Sequence, residues 1–531
     1  MSIIGKLYFD GEWHLGQGGT YQAIDPSTAK PLEPVMGKAT KAQVEVAVAA
    51  AQRDSLAFAK MPAIQRAAFL RECATQIEAL GDELVTRITQ ETGYPKGRGE
   101  GERARTCGQL RMFAAALEGG EFVDARIDTA QPERSPVPKP DLRFMQQAIG
   151  PVAVFAVSNF PLAYSVAGGD TASALAAGCP VLAKGHLSHS GTGELVAQAI
   201  AKAIEICQMP KGVFSFLMGD DAEVGATLVQ AAPVKAVGFT GSIAGGTALM
   251  KLANARPEPI PVFAEMGSVN PVVLLPEALK INAVGIAKGF VASLTMGTGQ
   301  FCVNPGLVIA VDSPSLKEFI QTVQAELGNI GAGVMLNERI CNAYQQGLTR
   351  FANASGISAL AQGQANLAHE GFRAQAHLLG TSGENFIAQH TIHEEIFGPT
   401  SLLVTCKDIA EVEQVLEVLA GQLTGTLHGT ESELLTHSAL VDVLARKAGR
   451  IVINGFPTGV EVCPSMVHGG PFPASSDMRF TAVGTAAIQR FQRPVCYQSF
   501  PDALLPEALK NSNPLQLDRL VNGVRSTAAI V

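Results

Sequence analysis

From residue 151 to residue 455 the chain repeats one pattern, in which apolar runs of six to eight residues alternate with stretches long enough for helices. The runs are "PVAVFAVS" (151–158), "PVLAKG" (180–185), "GVFSFLMG" (212–219) and "AVGFTG" (236–241), followed by "NPVVLLP", "GLVIAV", "TSLLVTC", "LTGTLHG" and "RIVING". Runs without polar alternation read as strands covered on both faces. Parallel strands need a crossover of a dozen or more residues, and the intervening helical stretches supply it. The pattern therefore predicts two series of βαβ units, each closing a parallel sheet.

Residues 39–118 read as helices instead. "ATKAQVEVAVAAAQRDSLAFAKM" opens at Thr40 as an N-cap, and "PAIQRAAFLRECATQIEALGDELVTRITQETG" starts with a proline in its first turn. Residues 126–141 are polar and proline-rich and read as a linker. At 531 residues, 47% hydrophobic and 17% charged, the chain can bury large cores in two or three domains. A net charge of -8 without a basic cluster argues against nucleic acid as a partner. No apolar run reaches the ~18 residues of a membrane span, and no leader-like start is seen, so no membrane partner is expected. Nine cysteines without a CxxC pair exclude a disulfide framework and point to a reducing cytoplasm.

Open parallel sheets bind ligands beyond the carboxyl ends of their strands. Three ends of the first series carry polar residues: Ser158-Asn159-Phe160-Pro161, Lys184-Gly185 and Thr240-Gly241-Ser242. A lysine there suits a phosphate or a sugar hydroxyl, and Gly241-Ser242 at a helix start suits a pyrophosphate. As ordinary structure the same residues would be a helix cap and a turn. The G-x-G-x-x-G fingerprint is missing. In the second series, "GTGQFCVNPG" sets Cys302 between a glycine-rich lead-in and an Asn-Pro-Gly turn, and "FAEMGSVNPVVL" sets Glu265 in an apolar segment that should raise its pKa. A thiol nucleophile, a carboxylate base and an amide for a developing oxyanion make an acyl-transfer set. His186 and His189 are three apart, with no third ligand near, so no metal site is expected.

These residues together resemble the aldehyde dehydrogenase superfamily. The matching stretches are "SNFPL" with Asn159, "LAKG" with Lys184, "GFTGS", "AEMGSVNPV" with Glu265, "GQFCVNPG" with Cys302, "HEEIFGP" with Glu395 and Phe397, and "VING" with Asn454. "KGHLSHSGT", "HGGPFPASSDMRF" and "VGTAAIQRFQRPVCYQSFPDALLPEAL" look like its α-ketoglutaric semialdehyde (2,5-dioxopentanoate) dehydrogenase branch. The NADP-dependent long-chain (fatty) aldehyde dehydrogenases share part of the pattern and are the alternative.

The resemblance implies two Rossmann-type α/β domains plus a small bridging sheet. The implied bounds are 1–137 and 151–263 for cofactor binding, 264–480 for catalysis, 138–150 and 481–500 for the bridging sheet, and 501–531 as a tail. It implies Cys302 as nucleophile, Glu265 as base and Asn159 as oxyanion donor. It implies NADP or NAD held by Lys184, His186, Gly241, Ser242, Glu395 and Phe397. Leu187 stands where NAD-specific members commonly carry a glutamate, so NADP should be accepted. Val303 replaces a threonine frequent among close relatives. A dicarboxylate semialdehyde needs a cationic anchor, for which Arg111 is the candidate, and Phe160, Phe301 and Phe456 are candidates for lining the substrate tunnel. A homodimer or homotetramer is expected from edge strands pairing across subunits.

Overall fold

The structure is a computed structural model, with residues 2–365 and 370–530 described. Both expected strand series form sheets. The first has seven strands, in the spatial order Val262–Glu265, Ala236–Thr240, Val152–Phe155, Val181–Lys184, Phe214–Leu217, Leu7–Phe9 and Glu12–His14. The first five run parallel. The last two are an N-terminal hairpin joined antiparallel at the edge, which periodicity had not revealed. The second sheet also has seven strands, in the order Ser358–Gln362, His377–Ser382, Thr400–Cys406, Leu307–Val311, Pro271–Leu274, Gln422–His428 and Ala448–Ile453. All are parallel to their neighbours except the edge strand Ser358–Gln362. Valine, isoleucine and leucine fill both faces of the central strands, which are fully covered as parallel sheets require.

Thr40 caps the helix Lys41–Ala59 through a capping box with Gln43. The next helical stretch breaks in two, Ala63–Ala79 and Gly81–Thr92, at a glycine with φ +55°. Lys96–Gly119 follows as a 24-residue helix stopped by Gly120 in the left-handed region.

A third sheet of five strands lies apart from these two. Its order is Gln492–Gln498, Leu142–Ala148, Arg126–Asp128, Arg519–Val521 and Val524–Ser526. The proline-rich linker and the C-terminal tail thus both contribute strands to it. The strand holding Glu265 is the edge of the first sheet, and the chain enters the second sheet only at Pro271.

The tail is anchored in the fold. Leu505 and Leu509 pack with Ala125 and Ile127, and the Arg143 guanidinium donates to the Leu509 carbonyl at 2.6 Å. Arg519, fully buried, donates to the Lys510 carbonyl at 2.5 Å. Leu509→Ala is expected to cost about 2–5 kcal/mol in urea denaturation, as for a core leucine. A change near zero would mean that the tail is a loosely attached arm.

Candidate active site

Strand register brings the polar ends of the first sheet to one edge. Lys184 lies opposite Phe155 and Leu217, Phe239 opposite Phe155, and Thr240 opposite Glu265. Asn159, four residues past Phe155, therefore stands over the same edge as Lys184 and Glu265. Convergence of these ends, expected from sequence, is observed.

The Cys302 loop reaches this edge from the second sheet. After helix Pro276–Thr295, Gly297, Thr298 and Gly299 all take positive φ, at 54°, 57° and 64°. A Cβ on Gly299 would sit 2.4 Å from the backbone of Gly398 and Pro399, so only glycine allows that approach. Beyond the thiol, the buried Asn270 amide donates to the carbonyls of Cys302 and Asn304, each at 2.9 Å.

Cys302 Sγ is 3.4 Å from His468 Nε2, and the same nitrogen is 3.0 Å from Glu265 Oε1. His468 is 1% exposed and Glu265 3%. The carboxylate oxygens lack an aligned hydrogen-bond donor, which leaves them able to take a proton. Burial first, and then the Glu265 charge, push the Cys302 thiol well above its ordinary range; Glu395 adds to the rise and Arg105 opposes it. At rest the thiol is protonated, with the Glu265 carboxylate and the His468 ring both in reach of its proton.

Sequence reasoning did not single out His468. It arrives on an irregular segment that pairs with the Glu265 strand: Met266 N–H donates to Ala474 O at 2.8 Å and Ser476 N–H to Ala264 O at 2.9 Å. The signal was the "HGG" that follows it. A Cβ on Gly470 would lie 2.0 Å from the Gln422 carbonyl, and one on Gly469 3.0 Å from that of Phe480, so the segment runs tight against its neighbours.

Asn159 is buried. One proton of its amide bonds the Gln300 carbonyl at 2.9 Å, which fixes the group and leaves the second proton for a substrate oxygen. Arg98 holds this region from behind, stacked over Tyr94, Phe160 and Phe301 at 4.4–4.9 Å and paired with the buried Glu102 at 3.0 Å.

Ser242 caps helix Ile243–Asn254, and the open turn of this helix start suits an anion. His186 Nδ1 accepts from Ser188 N–H at 3.1 Å. Burial, with His189 and Lys184 close by, holds the His186 ring neutral, so it offers an Nε2–H donor and not a cation. Glu395 accepts the Ser268 N–H, and its carboxyl is pushed up to about 8 by burial. Gly267 makes room for it, since a Cβ there would meet Glu395 Oε2 at 2.6 Å. Phe397 lines the same recess beside Gly299 and Asn304.

The substrate candidates divide. Phe160 meets Phe301 and Tyr164 edge-on at 5.4 and 5.2 Å, within the cluster on which Cys302 packs. Phe456 instead stacks near His428 at 4.8 Å and on the core under helix Pro276–Thr295, away from that cluster. Arg111 is a second correction. It is half-buried and forked onto Glu78 with both contacts at 2.6 Å, so its charge is spent on the helix surface. Arg105, on the same helix but about 240° round it, faces the site instead.

The aldehyde dehydrogenase family profile matches residues 13–471. The chain is 51% identical over 524 residues to "Alpha-ketoglutaric semialdehyde dehydrogenase 2" of Azospirillum brasilense, covering 98% of this chain and 99% of that one. It is 47% identical over 521 residues to the "Alpha-ketoglutaric semialdehyde dehydrogenase" of Acinetobacter baylyi, covering 98% of each. Its fold is similar to the solved aldehyde dehydrogenase C of Pseudomonas syringae, with a TM-score of 0.80, 21% identity, and 95% and 98% of the two chains covered. With this site and these matches, the chain belongs to the aldehyde dehydrogenase family.

Proposed function

We propose that the protein oxidises α-ketoglutaric semialdehyde (2,5-dioxopentanoate) to 2-oxoglutarate, using NADP or NAD. The observation that carries this is the Cys302–His468–Glu265 cluster, set beside Asn159 at the cofactor edge of the first sheet. Near full-length likeness to two relatives named for that substrate supports it. Nothing in the site or in the relatives favours the long-chain alternative.

Each residue has a step. The Cys302 proton passes to His468, 3.4 Å away, and the thiolate attacks the aldehyde carbon. Asn159 donates its second amide proton to the oxyanion that forms. A nicotinamide ring held at this edge would supply the hydride acceptor for this carbon. The carbonyl re-forms as a Cys302 thioester. Glu265 then takes a proton from water as the water attacks the thioester; the acid is released, and the departing thiolate recovers the proton held on His468. Lys184, Gly241, Ser242 and Glu395 would hold the cofactor. The open edges of the third sheet suit pairing between subunits, and a homodimer or homotetramer follows from that reading.

Cys302→Ala should abolish turnover. Glu265→Gln should leave a burst of one reduced nicotinamide per site and slow the steady state by about 10²–10⁴-fold. A Glu265→Gln enzyme with an unchanged steady state would sink the assignment of the base.

Since the Glu265 charge raises the Cys302 pKa, removing it should let the thiolate form at lower pH. The midpoint of iodoacetamide inactivation should fall by about one unit in Glu265→Gln. An upward shift would show that the carboxylate activates the resting thiol.

Leu187 is 36% exposed and puts no carboxylate near a ribose 2′-phosphate. Leu187→Glu should lower kcat/KM for NADP relative to NAD by about tenfold or more, through like-charge repulsion. An unchanged ratio would place cofactor choice elsewhere.

A further inference from the structure

Three donors close to Cys302 have no acceptor among the described residues: Arg105 Nε, Arg450 Nε and the Tyr164 hydroxyl. Neither arginine forms an ion pair with a described carboxylate. Unsatisfied buried donors are uncommon in folded proteins, and three in one place ask for an explanation.

Their geometry points at the thiol. Arg105 comes from helix Lys96–Gly119 and donates to the Val460 carbonyl at 2.5 Å. Arg450 comes from the edge strand of the second sheet and donates to the carbonyls of Pro457 and Gly459. The two guanidiniums therefore grip one loop from opposite domains. Val460 of that loop packs on the cluster of Phe301, Val303, Leu423 and Ala474, and Cys302 packs on the same cluster.

Strand register gives the second line of argument. Arg450 lies opposite Thr424, so the two side chains share a face of the sheet. Thr424 bonds Asn270, and Asn270 bonds the Cys302 carbonyl. Arg450 thus stands on the face that carries the thiol. Arg105 lies 5.9 Å over the Tyr164 ring, and that ring is 6.1 Å from the His468 ring that touches Sγ.

We propose that Arg105 and Arg450, with the Tyr164 hydroxyl, bind the 2-oxo acid end of the substrate while its aldehyde meets Cys302. This rests on the substrate reading above and deepens it. A 2-oxo carboxylate presents three oxygens, two anionic and one ketonic, to three donors that lack acceptors. Four C–C bonds of ~1.5 Å put that end about 5 Å from the aldehyde carbon when extended. Guanidinium forks match a carboxylate in both shape and charge.

The test compares Arg105→Met, Arg450→Met, Tyr164→Phe and the charge-retaining Arg105→Lys with wild type. Two substrates are used, α-ketoglutaric semialdehyde and uncharged pentanal. 2-Oxoglutarate serves as competitive inhibitor of pentanal oxidation. Each arginine-to-methionine change should lower kcat/KM for the semialdehyde by about 30-fold more than for pentanal, chiefly through KM, and weaken 2-oxoglutarate inhibition to a similar degree. Arg105→Lys should recover part of both losses. Equal losses on the two substrates would overturn the proposal and leave the arginines as loop braces. Inhibition by 2-oxoglutarate that is absent in wild type, or identical in all variants, would overturn it as well. Arginine-dependent inhibition without wild-type preference for the semialdehyde would uphold the anion site and refute the substrate reading instead.

Discussion

The site depends on one buried polar knot around Asn270. This residue is fully buried, in the left-handed region at φ 50°. Its amide donates to the carbonyls of Cys302 and Asn304, and its oxygen accepts from Ser268 and Thr424. Gln422 completes the knot by accepting from the backbone N–H groups of Val269 and Asn270 at 2.8 and 3.1 Å, and shares the single Ser268 hydroxyl proton with the Asn270 oxygen. A fully satisfied buried bond adds only about 1 kcal/mol, but an orphaned partner costs about 1–3 kcal/mol, so the knot holds as a unit or not at all. It ties the segment after Glu265, the loop of Cys302 and a central strand of the second sheet to one point. The thiol and the carboxylate come from different sheets, and this knot sets their separation.

The second tie runs the other way. Residues 474–476 leave the second domain and pair along the edge strand Val262–Glu265, with Ser475 bridged to Glu265. Ser476 Oγ accepts from Ala264 N–H and donates to Val262 O. His468 therefore sits against a carboxylate of the first sheet although its segment belongs to the second. The catalytic cluster lies at the join of the two sheets, where neither alone could complete it.

This explains what the sequence disclosed. The parallel strands were legible because uniform burial leaves an apolar run, and their polar ends were legible because the run stops there. Asn159 sits just past such an end and Glu265 closes a strand, whereas Cys302 lies on the turn after helix Pro276–Thr295; the structure brings the three together. His468 was not legible, since an irregular segment has no period and its partners lie 166 residues and more away in the chain. Arg111 was misjudged for a different reason: it lies on helix Lys96–Gly119, whose apolar and polar residues do not separate into clear faces, so its pairing with Glu78 had no visible phase. The third sheet was half seen, since its tail strands of three residues each are too short to show alternation.

Glu265 faces opposite demands in the two halves of the reaction. Its charge disfavours a thiolate at Cys302, yet the first step needs that thiolate. His468 removes the conflict, because its Nε2 lies 3.4 Å from Sγ and 3.0 Å from the carboxylate. A proton moved onto this nitrogen puts a cation beside both anions, so each is stabilised by it and their mutual repulsion is offset. Once the acyl group is on sulfur the thiolate charge is gone, and the carboxylate is free to take a proton from water. The carboxylate that keeps the idle thiol protonated is thus the base that frees it from the acyl group. A buried histidine in contact with both lets one carboxylate serve both states.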